Sequence, residues 1–185
     1  AASDVYKRQA HVSAADGSIM PEREGVSEPA HPGMPLVPGD RLRTDRGRAE
    51  IIFPDGSVLA ADEFTTLDVQ SEWLLRLSTG RVLMTVARPA AGAPQAFQVD
   101  TPAASAILHD AGEYTVTLLG TSSMPQVELA VRRGRAELHT DHGSMPLRSG
   151  ERSLAWANDR PSPPQVFNSA RLDALDRWAQ FQRDA

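Results

Sequence analysis

In Glu113–Leu118 every second residue is apolar: Tyr114, Val116 and Leu118. The same alternation runs through Gln126–Val131, with Val127, Leu129 and Val131, and through Arg81–Val86, with Val82, Met84 and Val86. A period of two sends successive side chains to opposite faces, so these stretches fold as half-buried strands. Turn signals interrupt the runs at Pro54–Gly56, Ser78–Gly80, Asp110–Gly112, Arg133–Gly134 and Ser149–Gly150. Short strands at intervals of roughly 8–12 residues indicate a sandwich, barrel or solenoid.

Short repeats narrow the choice. RGRAE occurs at Arg46–Glu50 and at Arg133–Glu137, Pro35–Arg41 echoes Pro146–Arg152, and Asp16–Ile19 echoes Asp55–Val58. PLxxG precedes RGRAE in the first half and follows it in the second. A duplicated domain preserves order, whereas turn-strand units reused in a stack need not. The expected fold is therefore mainly β, a β-solenoid-like or coiled β-sheet stack, with a β-sandwich as the alternative. Each RGRAE is expected to begin a strand. Gly47 and Gly134 then sit in tight turns, Ala49, Ile51, Ala136 and Leu138 point inward, and the arginines are solvated.

The β pattern occupies residues 10–157. Within it, Ala87–Pro94 reads as a flexible loop by composition. Residues 158–168 read as a Pro-rich linker, and 169–185 as a C-terminal helical segment. Leu172, Leu175, Trp178 and Ala179 recur at helical spacing, which predicts a helix from about Ser169 to Gln182 packed back on the sheet. Asn168 or Ser169 is placed to cap it. Residues 1–9, AASDVYKRQ, read as a translated sequencing adapter, which leaves the missing signal peptide uninformative.

A net charge of −5 argues against a nucleic-acid or polybasic membrane surface. The absence of cysteine removes disulfides, thiolate chemistry and cysteine-based zinc sites. No apolar run approaches the ~20 residues of a membrane span.

Little in the sequence suggests catalysis. His139, Asp141 and His142 are the sharpest metal candidates, but HxxH places both rings on one side only in a helix, and here it falls in a hairpin turn. His109–Asp110 is half of a triad with no serine tied to it by a motif. Asp62 and Glu63 are adjacent and face opposite ways on a strand, so they are expected to be solvated. No phosphate-binding glycine loop is present. Trp73, Trp156 and Trp178 are candidates for a sugar-stacking platform, with core packing as the ordinary alternative. No residue is assigned a catalytic, cofactor-binding or metal role, and no cofactor is expected.

Read in order, Pro35–Thr44, Gly47–Ile51, Phe53–Leu59, Leu77–Leu83, Phe97–Pro102, Gly112–Val116 and Val131–Glu137 resemble FecR-like domains over residues 10–156. The segment Phe167–Trp178 resembles the helical extension of a subgroup found in larger bacterial envelope proteins. The resemblance implies a periplasmic or exported all-β module with no catalytic residues. Its partner would be another envelope protein, and its task protein–protein interaction, sensory or scaffolding. The namesake regulates iron-transport genes across a membrane, whereas the helical tail points to the envelope subgroup. A glycan-binding module is the alternative from another class.

Overall fold

The computed structural model describes residues 9–88 and 96–185. Most of the Ala87–Pro94 loop and of the 1–9 segment lies outside the described residues. The chain forms β1 (Ala10–Arg23), β2 (Val26–Ser27), β3 (Pro35–Leu36), β4 (Arg41–Ile52), β5 (Val58–Ala61), β6 (Thr66–Val69), β7 (Leu74–Thr79) and β8 (Arg81–Val86). After these come β9 (Phe97–Asp100), β10 (Ser105–Leu108), β11 (Gly112–Gly120), β12 (Pro125–Arg133), β13 (Arg135–Thr140), β14 (Gly143–Arg148), β15 (Glu151–Trp156) and β16 (Gln165–Val166). Among the described residues one helix follows the strands, α1 (Ala174–Asp184).

All sixteen strands join one open sheet, so the fold is mainly β, as the alternation predicts. Its two arms diverge at β4. Ala49–Ile52 pair with β5, Arg41–Arg43 pair with β6, and β1 pairs along the other side of both stretches. The first arm continues through β8, β11, β12, β15 and β16, the second through β7, β9, β10, β13 and β14. The chain crosses repeatedly between them, which is why the turn signals recur so regularly. Every contact in this path is antiparallel except β7 with β9. The alternating apolar faces of both arms meet in one core, to which Leu59, Met84, Tyr114 and Leu129 contribute from one arm and Leu67, Leu77, Phe97 and Leu138 from the other.

The two RGRAE copies do different work. Gly134 sits between β12 and β13 at φ +112°, as expected, and β13 begins at Arg135. Gly47 instead lies inside β4, opposite Gly17, where β4 passes from one arm to the other. A side chain at Gly47 would meet the Asp16 carbonyl at 2.5 Å and the Ser18 nitrogen at 2.7 Å. Close backbone approach explains this glycine, and a turn does not. The register of β1 shifts here, between Gly17 and Ile19, which lets the strand follow the bend. In both copies the apolar pair is buried: Ala49 with Ile51, and Ala136 with Leu138. PLxxG is one structural part used twice. Leu36 and Leu147 are buried, Gly39 and Gly150 adopt φ +99° and +86°, and a strand follows each.

The Pro-rich segment lies against the sheet: Pro161 is buried, the Ser153 hydroxyl donates to the Ser162 carbonyl at 2.7 Å, and β16 pairs with β15. One expectation for the C-terminal part needs correction, the start of the helix. The helix begins at Ala174 rather than Ser169, and its cap is Asp173. Asp173 and Asp176 form a reciprocal capping box, each side chain accepting the other's backbone N–H at 2.9 Å. Asn168 spends its side chain upstream, accepting from the Ala170 nitrogen at 3.2 Å, a local turn that competes with helix. The apolar stripe does pack on the sheet: Leu175 and Ala179 bury Ala60 of β5 and Leu83 of β8.

Candidate interaction surface

Few of the chemically suggestive residues converge. His139 is exposed on β13, with its Nδ1 2.6 Å from the Ser144 hydroxyl, while His142 is exposed in the following turn. Between them Thr140 is buried and donates to the Asp159 carbonyl at 2.6 Å. Among the described residues no three His, Cys, Asp or Glu side chains gather as a metal site requires. His109 lies 3.6 Å from Glu137, and Asp110 lies 3.4 Å from Arg135. Both pairs bridge β13 to the chain around β10. Asp62 and Glu63 are not simply solvated, because Arg48 of the first RGRAE holds them at 2.8 and 3.5 Å.

The buried carboxylate Asp40 and the buried phenol Tyr114 are satisfied structurally, whereas the Nε atoms of Arg81, Arg132 and Arg152 are buried without a partner. Asp40, 3% exposed, accepts from Arg23 Nε and Nη2 at 2.8 and 2.7 Å and from the Val37 nitrogen at 2.9 Å. Burial pushes its carboxyl up, but these donors win and hold it below the ordinary carboxylate value. Tyr114 is fully buried beneath Gly134; its hydroxyl donates to the Asp110 carbonyl at 2.6 Å and accepts from the Arg135 nitrogen at 3.1 Å. Burial raises its phenol above the ordinary value.

The tryptophans separate by environment. Trp73 is half-buried, edge-on to Phe97 with centroids 5.6 Å apart. Trp178 is half-buried on α1 and donates its indole N–H to Asp16 at 3.2 Å. Trp156 is exposed at the end of β15, opposite Gln126 of β12, which in turn pairs with the exposed Leu119 of β11.

This row borders an uncharged cleft. The β7–β8 turn, the β11–β12 hairpin and Pro102 enclose a cleft of about 280 Å³ that no ionisable side chain lines. Thr79, Leu118, Leu119, Thr121 and Pro125 are among its walls. Phe64, whose carbonyl accepts from the Thr79 hydroxyl at 3.3 Å, is 59% exposed at φ +56°, and Met124 at the hairpin tip is 65% exposed. A non-glycine residue at positive φ is an outlier, and here the turn holds it, the Phe64 nitrogen donating to the Asp45 carbonyl at 2.9 Å. The alternation pattern gives no sign of this site, since it lies in turns. Its only trace is Leu119 and Met124 flanking a Gly-Thr-Ser-Ser tip.

The sheet edges, in contrast, are closed. On β14 the pairing with β13 directs the backbone of Ser144, Pro146 and Arg148 outward. Pro146 has no N–H to offer, and the Arg148 nitrogen already donates to Glu151 at 2.7 Å. The edge strands β2, β3 and β16 have two residues each.

Comparison with known proteins agrees with this fold. Residues 40–137 match the family model described as FecR protein. Two crystal structures of a candidate anti-sigma factor from Parabacteroides distasonis superpose with TM-scores of 0.60 and 0.58. Each is 18% identical to this chain, and the alignments cover 76% and 70% of it. They cover only 64% and 60% of the crystallised chains, so this sequence corresponds to less than two thirds of their length. At that identity the likeness is one of fold. No curated protein matches the sequence significantly.

Proposed function

This chain belongs to the FecR protein family, and from that premise we propose that it is a signal-transducing module of a bacterial envelope regulator. It acts by contact with another protein and without catalysis. The reading rests on the family match across residues 40–137. It is supported by the anti-sigma description of the P. distasonis structures, since relaying a signal to a sigma factor is a task of protein contact. The uncharged cleft walled by Leu118 and Leu119, with Met124 exposed at the tip of the same hairpin, is the surface we assign to that contact, because large exposed apolar side chains favour a protein partner. We place the module on the periplasmic side of the envelope, as the family resemblance implies. We read its open sheet as a coiled stack, because β1 and β4 run through both arms.

A sigma-dependent reporter in native cells tests the proposal. Leu119→Asp with Met124→Asp should change reporter output at unchanged protein level. Unaltered signalling, or a hydrolytic activity that tracks the purified chain, would refute it.

A glycan-binding role is the second reading. Trp156 favours it, exposed beside a cleft whose walls include the hydroxyls of Ser78, Thr79, Thr121 and Ser122. Quenching of Trp156 fluorescence by envelope oligosaccharides, lost in Trp156→Ala, would move the assignment there. Regulation of iron transport in particular would need a membrane segment in the full gene. No described helix is long and apolar enough to cross a membrane.

A further inference from the structure

The outer face of the first arm carries a small apolar spot ringed by charge. Ala60 and Leu83 lie there under Leu175 and Ala179 of α1, in a cluster that shares no residue with the main core. Around the spot the sheet presents Arg81, Arg132 and Glu113. Arg132 grips Asp176 with both terminal nitrogens at 3.0 Å, and Arg81 pairs with Asp173. Glu113 lies 3.7 Å from Arg132 and 3.7 Å from Arg183. The helix answers the face position by position. Two acids sit three residues apart at its start with Leu175 between them, Trp178 and Ala179 follow on the same cluster, and a base stands near its end.

The helix is also tied down by Trp178, whose indole N–H donates to Asp16 at 3.2 Å, but three features favour exchange at this face. An isolated helix of 11 residues is marginal in water, so α1 holds its form chiefly by docking. The main core is complete without it. Upstream, the last backbone bond to the sheet is from the Phe167 nitrogen to the Gly150 carbonyl. Between that anchor and the helix cap, Arg132 reaches the Arg171 carbonyl only at 3.5 Å.

We propose that this face is a docking site for an amphipathic helix of a partner protein, and that α1 is its resident competitor. The partner's helix carries carboxylates at positions i and i+3 and apolar residues at i+2 and i+6, the pattern of Asp173, Asp176, Leu175 and Ala179. The charge complementarity of Arg81 and Arg132 selects for it, and the small residues Ala60 and Ala179 allow close approach. The inference goes beyond the proposed relay role and is independent of which signal is carried.

The test uses the purified full chain and a fluorescein-labelled peptide of residues 170–185, followed by anisotropy. Leu175→Asp, which evicts the resident helix, should bind the peptide at least about tenfold more tightly than the unmodified chain. Adding Arg132→Ala should remove at least about tenfold of that gain, as expected for loss of a charge-assisted bidentate pair. A peptide carrying Asp173→Asn and Asp176→Asn should not bind. If Leu175→Asp fails to fold by circular dichroism, Asp176→Asn takes its place as the opened variant. Equal binding by all chains, or none by a folded opened variant, overturns the proposal. So does a dimer formed by the opened variant without peptide, since the occupant would then be a second copy. None of these readouts depends on a transcriptional reporter, so their failure leaves the relay reading to its own test.

Discussion

Arg132 and Asp176 stand 44 residues apart in the chain and meet through two N–H···O bonds of 3.0 Å. Asp176 is 3% exposed and belongs to the helix, while Arg132 belongs to the sheet. Removing one partner of a buried pair typically costs about 3–5 kcal/mol when the other charge must stay buried. Here the helix can leave instead, which caps the loss at the free energy of docking. In Arg132→Ala, amides of residues 177–184 should therefore exchange like unstructured chain while those of β11 and β12 stay protected. Hydrogen exchange read by mass spectrometry checks this, and a helix that stays protected would contradict it.

Acid should act through the same carboxylate and through Asp40. Burial raises both, but Arg132 and the Asp173 backbone for Asp176, and Arg23 and the Val37 backbone for Asp40, bring the net value below normal. A carboxyl depressed in the folded state stabilises above its unfolded pKa of about 3.9, and the gain fades as pH falls through the lower folded value. The melting temperature should therefore drop below about pH 4, and Asp40→Asn and Asp176→Asn should each flatten that drop. A melting temperature that rises in acid would refute the assignment.

Arg48 and Arg135 occupy the same place in the two RGRAE copies and should differ in worth. Arg48 is 23% exposed with Asp62 at 2.8 Å, whereas Arg135 is 64% exposed with Asp110 at 3.4 Å. A double-mutant cycle on Arg48 and Asp62 should give a coupling of up to about 1 kcal/mol, and one on Arg135 and Asp110 close to zero. Equal couplings would show that enclosure is not what separates the copies.

Gly47 and Gly150 separate crowding from backbone conformation. Gly47 lacks a positive φ but has backbone atoms where a methyl would go, and Gly150 is the reverse, at φ +86° with open space. Gly150→Ala should cost about 1–2 kcal/mol, and Gly47→Ala more, because two paired strands must move apart. Urea denaturation of the two variants decides, and an inverted order would mean that the strands separate at little cost.

Tyr114→Phe removes one oxygen that both donates and accepts. It leaves the Arg135 nitrogen and the Asp110 carbonyl short of a partner, at a cost of about 1–3 kcal/mol. The chevron should show most of that loss in the unfolding limb if the contact between arms forms late. A neutral substitution would place water on those groups.

Much of the strand content could be read directly because the alternation reports burial: Tyr114, Val116, Val127, Leu129, Val82 and Met84 all face the core. The PLxxG repeat was legible for the same reason, as leucine and glycine have fixed tasks in a strand and a turn. Gly47 was misread because glycine answers two needs, positive φ and close approach, and only the partner strand tells which applies. The helix start was misplaced because Asn168 and Asp173 are both good caps, and the choice went to the one that Arg81 and the Asp176 box could fix. The pairing of Arg48 with Asp62 and Glu63 depends on a turn bringing residues 14 apart together, and no local pattern encodes it. The uncharged cleft lies between two turns far apart in sequence, so its existence follows from topology alone.

The sharing of β4 between the arms has a consequence for how the molecule comes apart. Neither arm owns a complete register, since each borrows half of the same strand and the same flanking partner, β1. Peeling either arm uncovers backbone groups on a strand that the other still uses. Loss of either arm therefore weakens the other, and the sheet should unfold as one cooperative unit rather than arm by arm.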